Sequence, residues 1–302
     1  MDEKPPVIEI ENLHRSYGRS DAVMGLNLTV KAGRCYGFFG RNGAGKTTTI
    51  KCMLNLLRRD SGSIKLFGED PAKDEVAVKS RLAYVPDTIS FYPWMTVRDY
   101  FDYLASFRKH WNDHLRRDLL NQFDLDETKK VQDQSKGERM QVALIGALCP
   151  EPELLILDEP TSGLDPLVRQ EFIRTVIGAY QEGDPDNRTI FVSTHLITEF
   201  EGLIDEFTII EQGRNLLTME TEEARAQFQK LWISTKDAQT EPQFTDALHI
   251  RQMGKELEVT VNGNASEIIE QARRQGLEIV REENLTLEEV FLASLRKETE
   301  AL

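Results

Sequence analysis

Apolar residues along the chain fall into two recurring patterns, which together predict strands that alternate with helices. The segments 7–10 and 26–30 alternate apolar and polar residues, as half-buried strands do. Continuous apolar runs at 35–39 and 154–157 are instead typical of strands buried on both faces. This alternation predicts an α/β fold whose largely parallel sheet is covered on both faces. Further strands are predicted at 64–67, 81–86, 189–193 and 207–211, and helices at 48–57 and from Pro166 to about Gln181.

A mostly helical insertion interrupts this pattern from about residue 89 to residue 150. Aromatic and aliphatic residues recur there at helical spacing, from Tyr100 through Trp111 to Phe123. A second change of character comes near Glu220. We therefore predict two domains, which are 1–231, with a helical subdomain at about 89–150, and 232–302.

The C-terminal segment has the pattern of a small α+β domain. Two segments at 247–252 and 256–261 are placed to pair as a hairpin. Thr286 and Glu289 form a capping box, which predicts the start of a final helix. Other predicted elements are helices at 222–231 and 265–275 and a strand at 277–281.

Composition narrows the functional classes. The net charge of the 302 residues is −14, which does not suggest a chain that coats nucleic acid or anionic lipid. Cys35, Cys52 and Cys149 are scattered among apolar neighbours and indicate buried thiols rather than disulfides or a metal site. No segment approaches the roughly 20 apolar residues of a membrane span, and no apolar signal segment is seen. We expect a cytosolic chain that reaches a membrane only through a partner.

The segment 40–48 has the spacing of a phosphate-binding loop, G-x-x-x-x-G-K-[ST], between a predicted strand and a predicted helix. Glycines let several backbone N–H groups face one point, and the helix start adds the positive end of its dipole. Lys46 is expected to reach the β- and γ-phosphates and Thr47 to hold Mg²⁺, so the loop predicts a nucleotide site. The predicted phosphate-binding residues are Gly40, Arg41, Asn42, Gly43, Ala44, Gly45, Lys46, Thr47 and Thr48.

Two carboxylates follow the apolar strand 154–157. Because ligands collect at the carboxyl ends of parallel strands, we expect Asp158 to face the same Mg²⁺ through water, and Glu159 to polarise an attacking water. A buried strand that ends in solvated acids would look the same in isolation. His195 follows the next apolar strand, so it is expected at the same edge, near the γ-phosphate and Glu159.

Two predicted helix starts admit both a structural and a binding role. Ser135 and Glu138 form a capping box, yet the same geometry makes an anion site because the helix dipole points outward. Asp165 is placed to cap the helix that begins at Pro166. Tyr17 is either a packing residue or a platform for an adenine ring.

Taken in order, these motifs resemble the ATP-binding subunit of a bacterial ABC transporter of the export type, whose permease is a separate polypeptide. The resemblance spans about residues 7–230 and rests on Tyr17, the loop 40–48 and the stretches SKGER, LLILDEP, SGLD and STH. It implies a P-loop NTPase: a RecA-like core with an antiparallel β subdomain and a helical subdomain, here followed by the small α+β domain. ATP and Mg²⁺ are the implied cofactors.

The resemblance also implies that two copies dimerise head to tail with ATP between them. The helix start at Ser135 of one copy would close over the γ-phosphate held by Lys46 of the other. Aromatic residues at 91, 92, 94 and 100 lie where a permease would dock, although packing of the helical subdomain explains at least half of them. The other residues implied at the nucleotide are Tyr17, Gly137, Glu138 and Asp165.

Two departures from the family pattern bear on the chemistry. Lys136, Gly137 and Glu138 stand where two glycines and a glutamine are usual; Lys136 adds a donor near phosphate, and Glu138 adds a charge that the cap must hold aside. Asp87 replaces a glutamine that touches Mg²⁺ and water. A carboxylate is a suitable ligand for a hard cation, but it is shorter and charged, which bears on how hydrolysis couples to the helical subdomain.

We therefore expect an ATPase subunit that energises a transporter from the inner face of the cell membrane. Its expected partners are a permease and a second nucleotide-binding subunit, identical or not, and no nucleic acid. One alternative is a soluble ABC-type factor acting in translation or on DNA, although such proteins usually carry two nucleotide domains or a long coiled coil. Another is a regulatory ATP sensor that hydrolyses poorly, which Asp87 and Glu138 motivate. Regulation or dimer contact is the expected role of the C-terminal domain.

Overall fold

The computed structural model describes residues 5–181, 188–235 and 242–300 of the chain. The chain is divided into two compact units. The first unit comprises Met1–Ile204 and Ile210–Asn215, and the second Asp205–Ile209 and Leu216–Leu302. This division comes earlier than the predicted boundary between 231 and 232. The reason is that the strand Phe228–Ser234, which that boundary would cut, pairs on both sides within the second unit.

The first unit alternates strands with helices, as the sequence pattern predicts. Its elements are β1 (Ile8–Tyr17), β2 (Ser20–Val30), β3 (Cys35–Gly40), α1 (Lys46–Met53), β4 (Ser61–Leu66), α2 (Glu75–Arg81), β5 (Leu82–Val85), α3 (Val97–Ala105), α4 (Asp113–Gln122), α5 (Lys136–Leu148), β6 (Leu154–Asp158), α6 (Pro166–Gln181) and β7 (Thr189–Thr194). Two further strands, β8 (Glu206–Glu211) and β9 (Arg214–Glu220), are divided between the units.

Parallel strands form the central sheet of the first unit, in the order β5-β6-β7-β3. Every residue of β3, β6 and β7 is buried, which explains their continuous apolar character. Phe39 pairs with Thr194, and Asp158 pairs with Ser193. The residues that follow these three strands therefore meet at one edge of the sheet.

An antiparallel sheet of three strands, in the order β2-β1-β4, completes the β structure of this unit. Ile8 lies opposite Val30 on one side and Leu66 on the other, and all three are buried. Alternation of buried and exposed residues along β1 and β2 matches a sheet with one face on the core.

The helical subdomain contains three separate helices rather than one continuous pattern. A capping box between Thr96 and Asp99 begins α3, which ends at Ala105, and Asn112 caps α4 by accepting from the backbone N–H of Leu115. Trp111 lies between these helices and packs near Phe101, with ring centroids 6.4 Å apart. Aromatic periodicity predicted the helical content but not the break between helices.

The second unit packs helices on an antiparallel sheet of four strands, which are β10 (Phe228–Ser234), β11 (His249–Met253), β12 (Glu256–Asn262) and β13 (Glu278–Asn284). Their order in the sheet is β11-β12-β10-β13. Its core includes Ile233 of the central strand, Val259 and Ile268. Its helices are α7 (Thr221–Gln227), α8 (Ala265–Arg274) and α9 (Leu287–Glu300).

Most predicted elements of this unit are confirmed, and one is wrong in part. The hairpin of β11 and β12 and the capping box of Thr286 and Glu289 are present. The helix predicted at 222–231 ends at Gln227, because the apolar residues after it have the period of a buried strand, with Leu231 and Ile233 both facing the core. Helix α2 and strand β9 were not predicted.

Among the described residues, none of the helices has the length and apolar character needed to cross a membrane.

Candidate functional site

Two glycines with positive φ shape the loop between β3 and α1. Gly43 has a φ of 84° and Gly45 a φ of 106°, a region that favours glycine. A Cβ added at Gly45 would lie 2.4 Å from the carbonyl oxygen of Ala22, so the second strand also requires glycine there. Helix α1 has no side-chain cap and no acidic residue in its first turn. Its first backbone N–H groups therefore remain available to an anion.

Lys46 folds back over this loop and is buried, with 6% of its surface exposed. Its Nζ donates to the carbonyl oxygens of Gly40, at 2.7 Å, and Arg41, at 3.3 Å. The same Nζ lies 2.9 Å from Oε1 of Glu159. The ammonium group thus joins the loop to the carboxylates at the end of β6.

Asp158 ends β6 as a buried carboxylate. Its Oδ1 accepts a hydrogen bond of 3.0 Å from the Ser193 hydroxyl, whereas its Oδ2 is buried without a hydrogen-bond partner among the described residues. Burial raises the pKa of Asp158, against smaller lowering by the hydroxyls of Thr47 and Ser193. A buried acid with an unsatisfied oxygen beside a hydroxyl is a donor set that suits Mg²⁺, directly or through water.

Glu159 is held in a strained backbone conformation, with a φ of 48°. Its Oε2 lies 2.8 Å from Nδ1 of His195 and accepts from the Thr194 hydroxyl at 3.2 Å. One carboxylate therefore contacts Lys46 through one oxygen and, through the other, the last residue of β7 and the histidine after it. This brings together the acid and the histidine predicted at this edge.

Asp87 follows β5, the strand next to β6, and its side chain is exposed. Burial raises the pKa of Tyr84, and the negative charges of Asp158 and, to a smaller extent, Asp87 add to that rise. The phenol of Tyr84 thus interacts with Asp158, whereas Asp87 acts on it through its charge alone. Its role as a metal ligand stays a prediction.

The helix start at Ser135 is internally satisfied. Ser135 Oγ accepts from the backbone N–H of Glu138 at 3.2 Å, and Glu138 Oε2 accepts from the backbone N–H of Ser135 at 2.7 Å, which confirms the predicted capping box. These hydrogen bonds lower the pKa of Glu138. Gly137 approaches Val168 of α6, where an added Cβ would lie 3.0 Å from a methyl group.

Lys136 reaches the turn before α6 rather than projecting freely. Its Nζ donates to the carbonyl oxygen of Ser162 at 2.6 Å. Within one copy, this lysine links the start of α5 to that turn. Asp165 caps α6, since its Oδ1 accepts from the backbone N–H groups of Leu167 and Val168, each at 3.1 Å.

Tyr17 lies at the tip of the hairpin of β1 and β2, and half of its surface is exposed, at 50%. The guanidinium of Arg15 lies 5.2 Å from the centre of its ring. The exposed ring is compatible with stacking on a base.

Sequence reasoning missed three residues around the site. Tyr84 was passed over although it precedes the carboxyl end of β5, where a parallel neighbour of β6 reaches the same edge. Thr161 and Glu199 form a hydrogen bond although they lie 38 residues apart in the sequence, so no local sequence pattern predicts their contact.

Comparisons with known proteins agree with this geometry. The family model described as ABC transporter matches residues 23–162. The bacitracin transport ATP-binding protein BcrA of Bacillus licheniformis is 38% identical over 212 residues, which cover 70% of this chain and 68% of that protein. The Nod factor export ATP-binding protein I of Burkholderia lata is 36% identical over 222 residues, covering 69% of each.

Solved structures show the same fold. The structure of an ATP-binding subunit of an ABC transporter aligns with a TM-score of 0.66 and 27% identity, covering 73% of this chain and 92% of that one. A dimeric bacterial ABC transporter cassette aligns with a TM-score of 0.62 and 19% identity, covering 71% and 98%. At the lower identity the likeness concerns the fold alone.

Proposed function

Because this chain belongs to the family of ABC transporter ATP-binding proteins and is an ATPase of that family, we propose that two nucleotide-binding subunits close head to tail on ATP and drive a separate permease. The observation that carries this proposal is the meeting of Lys46, Asp158, Glu159 and His195 at one sheet edge, beside a helix start without a cap. Identical or different subunits would satisfy the same geometry.

The residues at this edge divide the work of binding. The loop 40–48 and the first N–H groups of α1 would hold the phosphates, with Lys46 moving from Glu159 to the β- and γ-phosphates. Thr47 and Asp158 would hold Mg²⁺, with Asp87 as a further candidate ligand. When bound, Mg²⁺ supplies neutralisation of the phosphate charge. Tyr17 would stack on the adenine.

Catalysis would then depend on position and charge rather than on covalent chemistry. Glu159 is placed to orient and polarise the attacking water, and His195 to contact the γ-phosphate and hold Glu159 in place. Release of Lys46 from Glu159 on nucleotide binding would free one carboxylate oxygen for that water.

The second copy would supply the other side of the site. Ser135 is exposed and begins a helix whose dipole points outward, and its capping box holds the charge of Glu138 aside. This arrangement supports a role for Ser135, Gly137 and Glu138 against the γ-phosphate held by the partner copy. Asp165 caps the neighbouring helix α6 and belongs to the same proposed surface.

An exposed aromatic patch supports docking of a permease. Phe91 and Tyr100 contact each other edge to face with centroids 4.8 Å apart, and we assign both to packing. Tyr92 and Trp94 stack at 4.8 Å, and Trp94 is 66% exposed. Exposed stacked aromatics are typical of interfaces. The relatives named for bacitracin transport and Nod factor export support a role in transport, with export as the proposed direction.

The test of this proposal compares the wild type with Glu159→Gln in saturating ATP and Mg²⁺. We expect the variant to lose turnover and to remain ATP-bound as a dimer, seen as a doubled mass by light scattering. Lys46→Ala should stay monomeric under the same conditions. A Glu159→Gln variant that hydrolyses ATP at the wild-type rate would contradict the proposed role of Glu159, and co-purification with ribosomes instead of a membrane protein would contradict the transport role.

A further inference from the structure

A partly buried ionic cluster lies just beyond the site edge and has no part in the roles proposed above. Glu199 ends the short 3₁₀ turn Ile197–Glu199 that follows His195. Its Oε2 accepts a hydrogen bond from the hydroxyl of Thr161, and its Oε1 lies 2.6 Å from Nη1 of Arg169. Thr161 is fully buried, and only 13% of the Glu199 side chain is exposed.

Arg169 extends this cluster into α6. Its Nη2 donates to the carbonyl oxygen of Leu164 at 3.1 Å, in the turn that precedes the helix. Glu199 is therefore attached at two points to the stretch from Thr161 to Arg169. That stretch follows Glu159 directly, whereas Glu199 follows His195.

Two links thus join the same pair of segments. The first is the contact of 2.8 Å between Glu159 and His195. In the proposed function this contact holds Glu159 in place while the other carboxylate oxygen exchanges Lys46 for the attacking water. The second link, through Thr161 and Glu199, has no part in that exchange and can keep the two segments together while it takes place.

We propose that Glu199 is a positioning residue for ATP hydrolysis, which holds Glu159 and His195 in register through Thr161 and Arg169. The inference rests on the proposed function, since it takes Glu159 and His195 as the catalytic pair. The cluster joins the two segments that carry Glu159 and His195, and an ion pair with a partly exposed arginine adds little to stability, so a positioning role accounts for it better than a stabilising one. A displacement of about 1 Å at a reacting group can lower a rate about 100-fold.

The experiment measures phosphate release, ATP affinity and melting temperature for the full chain and four variants. Thr161→Val removes the hydroxyl at nearly constant volume, and Glu199→Gln removes the charge. Thr161→Ser keeps the hydroxyl and removes only a methyl group. We expect kcat to fall about 10- to 100-fold in the first two, with KM and ATP affinity within about threefold of the wild type. Thr161→Ser should keep kcat near the wild-type value. The double variant Thr161→Val/Glu199→Gln should be no slower than the slower single variant, because both changes break one link.

Asp70→Asn is the matched control, since it breaks a comparably buried pair with Arg59, 2.9 Å apart and remote from the site in sequence. It should lower the melting temperature without lowering kcat. Wild-type kcat in Thr161→Val and Glu199→Gln, or a fall in kcat for Asp70→Asn as large as theirs, would overturn the inference alone, provided that Glu159→Gln is inactive in the same assay. Wild-type turnover by Glu159→Gln would instead overturn the proposed function, and the inference with it.

Discussion

Two helix starts in the first unit are built in opposite ways. Helix α1 begins without a side-chain cap or an acidic residue, at a glycine with a φ of 106°. Helix α5 begins with a complete capping box whose Glu138 has a lowered pKa. The first backbone N–H groups of α1 have no side-chain acceptor, whereas those of α5 are capped by Ser135.

The carboxylates near each start show the same contrast. Burial raises the pKa of Asp158 near α1, where one oxygen has no hydrogen-bond partner among the residues described. The cap lowers the pKa of Glu138 at α5. A site that is strained and unsatisfied without its ligand is expected to trade stability for binding, and a satisfied one is not. The two starts therefore suit the different roles proposed for them, with phosphate bound at α1 in the same copy and at α5 from a partner copy.

The largest expected effect comes from Lys46. Its ammonium is buried between loop carbonyls and Glu159 and would be the main charge on the phosphates. We expect Lys46→Ala to weaken ATP binding about 100-fold or more, because a charge-assisted contact to phosphate is lost in a dry site. Lys51→Ala, in the last turn of the same helix, should leave the affinity unchanged. Isothermal titration with ATP and Mg²⁺ measures both, and an unaltered affinity for Lys46→Ala would contradict the assignment of the loop.

Substitutions at Gly43 and Gly45 distinguish the cost of a left-handed backbone from the cost of a steric clash with a neighbouring strand. Both have positive φ, but an added Cβ at Gly43 meets nothing within 4 Å, whereas at Gly45 it meets the carbonyl oxygen of Ala22. Gly43→Ala should therefore cost about 1–2 kcal/mol of unfolding free energy, the usual penalty of the left-handed conformation. Gly45→Ala should cost clearly more and also lower ATP affinity, since the loop must shift.

Denaturant unfolding gives both free energies, and the same protein samples can be titrated with ATP. Equal losses of stability in Gly43→Ala and Gly45→Ala would show that the approach of Ala22 does not determine the loop. The comparison of the two helix starts would then lose its steric part.

The sequence alone was sufficient to predict the fold class and most of the residues at the carboxyl ends of the central parallel strands. Buried parallel strands leave continuous apolar runs, so the ends of β3, β6 and β7 could be placed side by side, and the motif at 40–48 named the loop. The capping box of Ser135 and Glu138 is local and was predicted for that reason. The roles of these residues at a nucleotide remain predictions.

What could not be predicted depends on contacts between distant segments. The hydrogen bond of Thr161 to Glu199 joins residues with no shared motif, and the charge coupling of Tyr84 to Asp158 depends on the pairing of β5 with β6. The transition from α7 to β10 was missed because Phe228 and Leu231 fit a helical period as well as a strand. Tertiary pairing, rather than local preference, decides such positions.

Asp158→Asn tests the stability cost of the site near α1. A carboxyl with a raised folded pKa destabilises the fold where it is ionised, so the penalty is complete above the folded pKa and absent below the unfolded value of 3.8. We expect the variant to be more stable than the wild type near neutral pH, by about 0.5–2 kcal/mol. The gain should shrink as the pH falls.

The same variant should lose the Mg²⁺ dependence of ATP binding. Titration of ATP with Mg²⁺ and with a chelator measures that dependence, with the exposed acid Asp118 changed to Asn as a control that should alter neither property. Destabilisation by Asp158→Asn at neutral pH would mean that the carboxylate is better satisfied than its unpartnered oxygen indicates.

The smallest expected effect is at Glu138, where removing the charge should lower the free energy of unfolding, whereas Asp158→Asn should raise it. Since its folded pKa lies below 4.5, Glu138 stabilises the fold above that value, and the stabilisation is lost as the pH falls through the folded pKa. Glu138→Gln keeps a hydrogen-bond acceptor and removes the charge, so it should cost about 0.3–1.5 kcal/mol near neutral pH and nothing in strong acid. Thermal melts at several pH values measure this, while the ATP affinity of one copy should stay constant. If Glu138→Gln changed that affinity as strongly as Lys46→Ala, the α5 start would be serving the phosphate of its own copy, and the contrast between the two helix starts would fail.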